Sequence, residues 1–161
     1  MRLFILRHAK TEQKSHSGKD IDRDLKYKGM RQLELMSDFF VSNFSELNFR
    51  VFCSNATRTR STFRELEPIL NIKKELTYHD DLYLPSLNQL RHFLGEQSDN
   101  SENILLIGHN FGLSDLCTYL SGETTLLPTC GLVVYDFPDF SNINEISKET
   151  GIEKYRYFPK V

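Results

Sequence analysis

The sequence predicts an α/β fold, a three-layer α/β/α sandwich built on a mostly parallel central sheet. Residues 3–6 and 104–107 are uninterrupted apolar runs, typical of strands that are buried on both faces. Segments with apolar residues at helical spacing lie between the strands, and this alternation favours parallel strand pairing. The 161 residues predict one domain over 1–161.

The first half of the chain predicts two strand–helix pairs. In order, these are a strand over 2–7, a helix over 28–44, a strand over 48–53 and a helix over 56–70. Ser54 and Asn55 are suitable N-cap residues for the second helix, and Pro68 lies near its end. The polar stretch from Lys10 to about Lys28 is long for a connection, which is typical of a functional loop.

The second half predicts four strands and two more helices. The strands are expected over 75–78, 104–107, 131–137 and, at the sheet edge, 154–158. One helix follows Ser86 as its cap, and another follows Asn110 and ends at Gly122.

Composition and charge exclude several classes of function. A net charge of −2 without a basic block gives no sign of a nucleic-acid partner or a membrane surface. The odd number of cysteines, Cys53, Cys117 and Cys130, without metal-ligand spacing predicts buried free thiols. With no apparent signal peptide or membrane-spanning run, we expect a cytoplasmic protein.

Three strand ends carry residues suited to phosphate chemistry. Arg7 and His8 end the first strand, Arg58 lies just after the second, and His109 follows Gly108 at the end of the central strand. Ligands of open α/β sheets bind at the carboxyl ends of the strands, where helix N-termini favour anions. We therefore expect these residues to converge on a phosphate pocket, with Asn110 as a helix cap that also donates to phosphate.

Each of these residues also has a purely structural interpretation. Arg7 and His8 could form a solvated corner at the end of their strand. Arg58 could pair with Glu65 or Glu67 on its own helix, and His109 could be a capping or packing histidine. A metal site at His79, Asp80 and Asp81 is disfavoured because no second histidine lies at ligand spacing.

Two histidines and two arginines together are suited to one reaction. A neutral imidazole attacks a phosphoryl group and forms a phosphohistidine intermediate, while arginines bind the phosphoryl oxygens and stabilise the developing charge. This chemistry requires no metal, and the sequence predicts no cofactor.

The motifs resemble those of the histidine phosphatase, or phosphoglycerate mutase-like, superfamily. Leu6–Thr11 is similar to its Arg-His signature, 54–62 to its Ser-x-x-x-Arg-x-x-x-Thr motif, and 107–110 to its Gly-His motif. The short length, the segment 22–25 and the segment 127–131 are similar to small SixA-type phosphohistidine phosphatases.

The resemblance implies a phosphoglycerate mutase-like fold with His8 as the phosphorylated nucleophile. It implies that Arg7, Arg58 and His109 complete the phosphate pocket. Arg23 matches an arginine common in the small subfamily, and a salt bridge to Asp20 or Asp24 is the competing interpretation. Ala9 replaces the commoner glycine, as it does in the small subfamily.

A general acid is harder to locate. Many members of the superfamily carry one after the second motif, where Glu75, Asp80 and Asp81 are the candidates, with Asp81 the best. A phosphohistidine substrate needs none, because a protonated imidazole leaves readily, whereas an alkyl phosphate needs a proton donor.

The expected substrate is accordingly a phosphohistidine carried by another protein. A small phosphorylated molecule hydrolysed at the same site is the alternative within enzymes. A catalytically weak phosphate-binding regulatory module is the alternative outside them, although binding alone would not require a nucleophile.

Overall fold

The structure is a computed structural model that describes residues 1–74 and 76–161. The strands are β1 (Arg2–Arg7), β2 (Asn48–Ser54), β3 (Asn71–Ile72), β4 (Thr77–His79), β5 (Asn103–Gly108), β6 (Leu132–Asp136) and β7 (Ile152–Tyr157). The α-helices are α1 (Tyr27–Phe44), α2 (Thr57–Leu66), α3 (Leu87–Glu96) and α4 (Gly112–Ser121). Short 3-10 helices cover Asp20–Asp22, Glu67–Ile69, Asp80–Leu82 and Ile143–Glu145.

The described strands form one mixed sheet in the order β3-β2-β5-β1-β6-β7, and β4 also pairs with β2. The pairs β1–β5, β2–β5, β2–β3 and β2–β4 are parallel, and β6 is antiparallel to both of its neighbours. This confirms the predicted α/β class with a mostly parallel sheet. The assignment of 1–161 to one domain stays a prediction.

Alternate side chains of the central strands enter two separate cores. Leu3 and Ile5 of β1 join a cluster that includes residues of α3 and α4. Phe4 and Leu6 join the opposite cluster, which includes residues of α1 and α2. Helices therefore cover both faces of the sheet, which explains why β1 and β5 have no polar alternation.

Several local features differ from the sequence expectations. The second helix ends at Leu66 and continues only as a 3-10 turn, because Pro68 cannot donate to an α-helical backbone bond. Ser54 and Asn110 do not cap helices; Ala56 and Phe111 occupy the N-cap positions, and neither has a side-chain cap bond. The strand β3 was not expected, and Glu75, the start of the next predicted strand, lies outside the described residues.

Other expectations are confirmed. Ser86 caps α3 in a capping box with Gln89, and Gly122 ends α4 in the left-handed conformation, with φ of 79°. Cys53, Cys117 and Cys130 are buried free thiols. Within the part of the chain that the structure describes, no helix is long and apolar enough to cross a membrane.

The sheet register brings the three polar strand ends side by side. Arg7 of β1 pairs with Gly108 of β5, and Cys53 of β2 pairs with Ile107. The parallel strands β2, β5 and β1 therefore end at one edge of the sheet, and α2 and α4 begin there. This edge is where the sequence predicts the phosphate pocket.

The polar segment from Lys10 to Lys26, here called the polar loop, folds back on itself beside this edge. Lys26 N donates to Lys10 O at 3.0 Å, and Glu12 N donates to Asp24 O at 2.9 Å. Gly29 permits the approach of α1, because a Cβ atom there would lie 2.2 Å from Lys10 O.

Candidate active site

A pocket of about 450 Å³ opens at the carboxyl edge of the sheet. Its walls contain all six residues for which the sequence predicts a catalytic or substrate-binding role with phosphate, namely Arg7, His8, Arg23, Arg58, His109 and Asn110. The polar loop forms a further part of the wall. Three strand ends and one loop therefore bring together side chains that are up to about a hundred positions apart in sequence.

His8 is buried, with 5% of its surface exposed. A hydrogen bond of its ring determines which of the two ring nitrogens carries the proton. Its Nδ1 atom lies 2.8 Å from the backbone oxygen of Ala9. A carbonyl oxygen can only accept, so Nδ1 carries the proton and Nε2 carries the lone pair. Burial first, and then the charges of Arg58 and Arg7, lower the pKa of His8 to about 3, although the hydrogen bond to Ala9 opposes the shift. His8 is therefore a neutral imidazole at neutral pH, as a nucleophile must be.

His109 lies next to His8, with ring centroids 5.4 Å apart, but it is bonded through the opposite nitrogen. Its Nε2 lies 2.7 Å from Ser54 Oγ, and its buried Nδ1 has no partner among the described residues. Ser54 Oγ accepts from Ala56 N at 3.4 Å, and Nε2 of His109 is the acceptor that the described residues offer to its hydroxyl proton, so we assign Ser54 as the donor to Nε2. The proton of His109 then resides on Nδ1, which is left to donate to a ligand.

The pKa of His109 is lowered to about 2, first by burial and then by Arg58 and His8. A protonated histidine at this position would add a charged donor to a phosphate site. In the structure His109 is neutral at neutral pH and offers one N–H group rather than a positive charge.

Arg58 is 2% exposed and is paired with a partner that sequence reasoning did not identify. Its Nη1 donates to Asp20 O at 2.9 Å and its Nη2 to Asp20 Oδ2 at 3.0 Å. Tyr83 Oη also donates to Asp20 Oδ2, at 2.6 Å. The Tyr83 hydrogen bond and the charge of Arg58 lower the pKa of Asp20, so this carboxyl is ionised at neutral pH. Pairing of Arg58 with Glu65 or Glu67 is not observed.

The other predicted pocket residues are held by the loops around it. Arg7 Nη1 and Asn110 Nδ2 both donate to Leu127 O, at 3.0 Å and 2.9 Å. Arg23 Nη2 donates to Thr11 Oγ1 at 2.7 Å, and its Nη1 lies 3.5 Å from Asp20 Oδ1. Both interpretations of Arg23 therefore apply, because it lines the pocket and also forms the salt bridge.

Buried donors without a partner are concentrated in this pocket. In the described chain, the buried side-chain nitrogen and oxygen atoms that lack a hydrogen bond are Arg7 Nε, Arg23 Nε, Arg58 Nε and His109 Nδ1. All four belong to residues that line the same pocket. Since buried polar groups are normally paired and three of these belong to cations, the arrangement is suited to an anion that accepts several hydrogen bonds.

The second motif has three distinct structural roles. Ser54 contacts His109, Arg58 lines the pocket, and Thr62 Oγ1 donates to Arg58 O at 2.7 Å and accepts from Ala9 N at 3.0 Å. The spacing of four residues places Arg58 and Thr62 on one face of α2. The motif thus connects the β1 and β5 strand ends through β2 and α2.

The structure does not bring Asp81, the predicted general acid, to the pocket. Asp81 is exposed and lies along a separate groove that includes His79 and His92. Asp80 lies along that same groove, where its carboxylate accepts from Asn55 Nδ2, and Glu75 lies outside the described residues. The carboxylates that line the described part of the pocket are Glu12 and Asp20 instead.

Asp20, Tyr83, Ser54 and Gln32 are the site residues that sequence reasoning missed. Gln32 is buried in α1, where it accepts from Lys10 N at 2.9 Å and donates to Thr129 O at 3.1 Å. The polar loop was noted for its length, but no periodicity assigns its Asp20 to Arg58, which is 38 positions away. The one signal that the sequence contains for these residues is Gln32, a polar side chain on the apolar face of its helix.

A metal site is not apparent either in the pocket or elsewhere in the described residues. No group of three or more His, Cys, Asp or Glu side chains there is arranged to hold a metal ion. Independence from metals stays a prediction.

With this geometry established, comparison with known families identifies the class of the protein. Residues 3–83, half of the chain, match the model of the histidine phosphatase superfamily (branch 1). The chain belongs to this superfamily. The match includes β2, α2, Tyr83 and all of β1 except Arg2. Among the predicted pocket residues, only His109 and Asn110 lie outside it.

Individual relatives share the fold at low sequence identity. The protein histidine phosphatase SixA, solved with tungstate, superposes with a TM-score of 0.80 at 20% identity, covering 99% of this chain and 97% of that one. A proposed phosphohistidine phosphatase SixA from Agrobacterium tumefaciens gives a TM-score of 0.72 at 24% identity, covering 84% and 90%. The fold is therefore that of SixA.

A curated relative extends beyond the matched region. An uncharacterized chloroplastic protein of Arabidopsis thaliana is 27% identical over 141 residues, covering 80% of this chain. The match spans 63% of that protein's own length.

Proposed function

We propose that this protein is a phosphatase that works through a phosphohistidine intermediate on His8. The observation that carries the proposal is the state of His8, a neutral imidazole with Nδ1 bonded to a carbonyl and Nε2 holding the lone pair. It stands in a pocket with four unpaired donors, which are suited to a phosphoryl group. A nucleophile and an anion site at one place support phosphoryl transfer.

In the first step, Nε2 of His8 attacks the phosphorus atom of the substrate. A P–N bond to His8 forms, and the bond to the leaving group breaks with its electron pair. The Arg7 and Arg58 guanidinium groups and the Nδ1–H of His109 donate to the phosphoryl oxygens as charge develops. Because Nδ1 keeps its proton, phospho-His8 is an imidazolium, which the Ala9 carbonyl stabilises by accepting from it.

In the second step, water attacks the phosphorus atom of phospho-His8. The P–N bond breaks, Nε2 recovers its lone pair, and inorganic phosphate carries away the proton lost by water. The positive charge on the ring makes His8 a good leaving group in this step. The Ala9 carbonyl thus supports both halves of the reaction by holding one proton in place.

We further propose phosphohistidine on a protein as the substrate. Asp20 is ionised and bonded to Arg58 and Tyr83, so it is not available to protonate a leaving group. A phosphohistidine that is protonated on its second ring nitrogen leaves as neutral imidazole and needs no acid. The chemistry available in the pocket therefore favours this substrate over an alkyl phosphate.

A small phosphorylated molecule is the second candidate substrate, and Glu12 favours it. This exposed carboxyl lines the pocket, and its side chain forms no hydrogen bond or ion pair with the described residues. It could supply the proton that an alkoxide leaving group requires. A regulatory module that only binds phosphate is the remaining alternative.

The deciding experiment compares hydrolysis of phosphohistidine, phosphoserine, a sugar phosphate and an aryl phosphate by the parent protein and by Glu12→Gln. We expect preference for phosphohistidine, and no effect of Glu12→Gln on it. Preference for an alkyl phosphate that is lost in Glu12→Gln would establish the second candidate. Phosphate binding without turnover of any substrate would contradict a phosphatase.

The metal independence of the reaction, its protein partner and its location are also proposals. We expect activity without added metal, which persists after dialysis against a chelator. We expect a phosphorylated protein as partner, rather than nucleic acid or membrane, and the cytoplasm as the location.

A further inference from the structure

Three exposed apolar residues lie on segments that border the pocket. Leu84, Phe111 and Leu126 expose 50%, 74% and 71% of their surfaces. We name this set the apolar rim. Leu84 lines the pocket, Phe111 follows the pocket residue Asn110, and Leu126 precedes the residue whose carbonyl binds Arg7 and Asn110.

Side-chain hydrogen bonds and one close backbone approach join the three segments that carry the apolar rim. Asn110 Nδ2 donates to Leu127 O, and Ser114 Oγ donates to Asn110 Oδ1 while it accepts from Leu127 N. Gly112 lies so close to Pro85 that a Cβ atom would be 2.2 Å from the Pro85 oxygen. The segments before α3, before α4 and before β6 are therefore packed together, which brings the three exposed apolar residues to neighbouring segments of the surface.

Leu84 provides a second, independent observation. Its φ is +48°, in the left-handed region that a leucine rarely adopts. Since half of its side chain is exposed, burial does not compensate fully for this strain. Strained residues cluster at ligand sites, where the side chain acts on a partner.

The polar loop gives its own part of the pocket wall a different chemical character. There the polar loop contributes Lys10, Glu12 and Lys26. We expect a phosphorylated ligand to place its anionic group among the arginines of the pocket, near both the polar loop and the apolar rim. A sugar phosphate would set its hydroxyl groups against the apolar rim, where they find no partner, whereas a protein surface offers apolar side chains beside its phosphorylated residue.

We propose that the apolar rim is a docking surface for a protein that presents a phosphorylated side chain to His8. The partner places an apolar patch against Phe111 and Leu126 while its phosphoryl group enters the cationic pocket. This inference rests on the proposed function and identifies the surface by which a protein substrate is distinguished from the same phosphoryl group on a small molecule.

The test compares hydrolysis of phosphohistidine free in solution with hydrolysis of phosphohistidine carried by a protein. Substrates are free phosphohistidine and a histidine-containing phosphotransfer domain phosphorylated with phosphoramidate. The double variant Phe111→Ser with Leu126→Ser changes only exposed side chains. We expect kcat/KM for the protein substrate to fall by roughly tenfold or more, mainly through KM, because both residues act as contact residues. Turnover of free phosphohistidine should stay within about twofold of the parent.

Val41→Ser with Ile152→Ser is the matched control, since each of these side chains is 50% exposed and neither lines the pocket. It should leave both substrates unaffected. An equal change for both substrates in the rim variant, or none, would overturn the docking proposal, as would a parent protein with no preference for the protein substrate. If the parent hydrolyses neither form of phosphohistidine, the proposed function itself fails, and docking fails with it.

Discussion

His8 and His109 occupy equivalent positions just after the ends of two neighbouring parallel strands, yet their hydrogen-bond partners give them different chemical roles. Each follows its strand end directly, each is buried, and each has a lowered pKa that keeps it neutral. His8 bonds through Nδ1 to a carbonyl, which leaves a lone pair on Nε2. His109 bonds through Nε2 to a hydroxyl, which leaves Nδ1 as a donor. The hydrogen-bond partner, rather than the residue type or its burial, separates nucleophile from donor.

Of the variants that distinguish the roles of the two histidines, His8→Ala should have the largest effect on turnover. We expect turnover of an aryl phosphate to fall by on the order of 10³-fold or more, because no other described group in the pocket supplies the nucleophile. Affinity for inorganic phosphate, measured by calorimetry, should change by no more than about threefold, since Arg7, Arg58 and His109 remain. Residual activity close to that of the parent would remove His8 from the nucleophilic role.

His109→Ala should behave differently. We expect kcat to fall by about 10²- to 10³-fold, the usual cost of losing a donor to the transition state, together with weaker phosphate binding. His109→Gln restores an N–H donor and should recover part of the loss. If both variants lose activity equally while phosphate affinity is unchanged, His109 does not act as a donor to the phosphoryl group.

Ser54→Ala tests whether the hydroxyl sets the tautomer of His109. We expect a loss of roughly tenfold in kcat, with KM less affected, because the imidazole would lose its orienting partner. Nitrogen chemical shifts of His109 should report a mixture of tautomers, which a merely structural role would not produce. Ser61→Ala in α2, the helix that follows Ser54, removes a hydroxyl that donates to Asp24 outside the pocket; this control should match the parent.

The smallest expected effect is on stability in acid. The unfolded histidines have pKa values near 6.5, whereas the folded values are about 3 for His8 and about 2 for His109. As pH falls below 6.5 the unfolded state takes up protons first, so stability is complete above that pH and is lost toward pH 3. The loss at pH 5 should be roughly 1–2 kcal/mol for each histidine.

Urea unfolding at pH 7.5 and pH 5, without phosphate, measures this effect. His109→Gln should lose less stability between the two pH values than the parent does, because it removes one of the two groups that take up protons on unfolding. A pH dependence identical in the two proteins would show that His109 is not held neutral by the fold.

Much of this site could be predicted from sequence because its main residues directly follow strands. Apolar runs such as Leu3–Leu6 locate the strand ends, and parallel topology brings their following residues together. Asp20 and Tyr83 could not be predicted, because their contacts with Arg58 depend on how two loops fold over the pocket. Asp81 was favoured from its position in the chain, and the 3-10 turn at Asp80–Leu82 places it along another groove.

The same limit applies to the helix caps. Ser54 and Asn110 have side chains that suit an N-cap, so local sequence favours that role. In the folded protein each makes a tertiary hydrogen bond instead, Ser54 to His109 and Asn110 to Leu127. At both positions a hydrogen bond to another part of the site replaces the helix cap that the local sequence favours.

The central claim is that Nε2 of His8 becomes phosphorylated during turnover. Rapid quenching of the protein with excess substrate at alkaline pH, followed by proteolysis and mass spectrometry, would locate the phosphoryl group. We predict acid-labile phosphate on His8, on the ring nitrogen distal to the backbone, that appears and decays within the catalytic cycle. Phosphate on His109, or turnover without any phosphorylated histidine in the chain, would contradict the account.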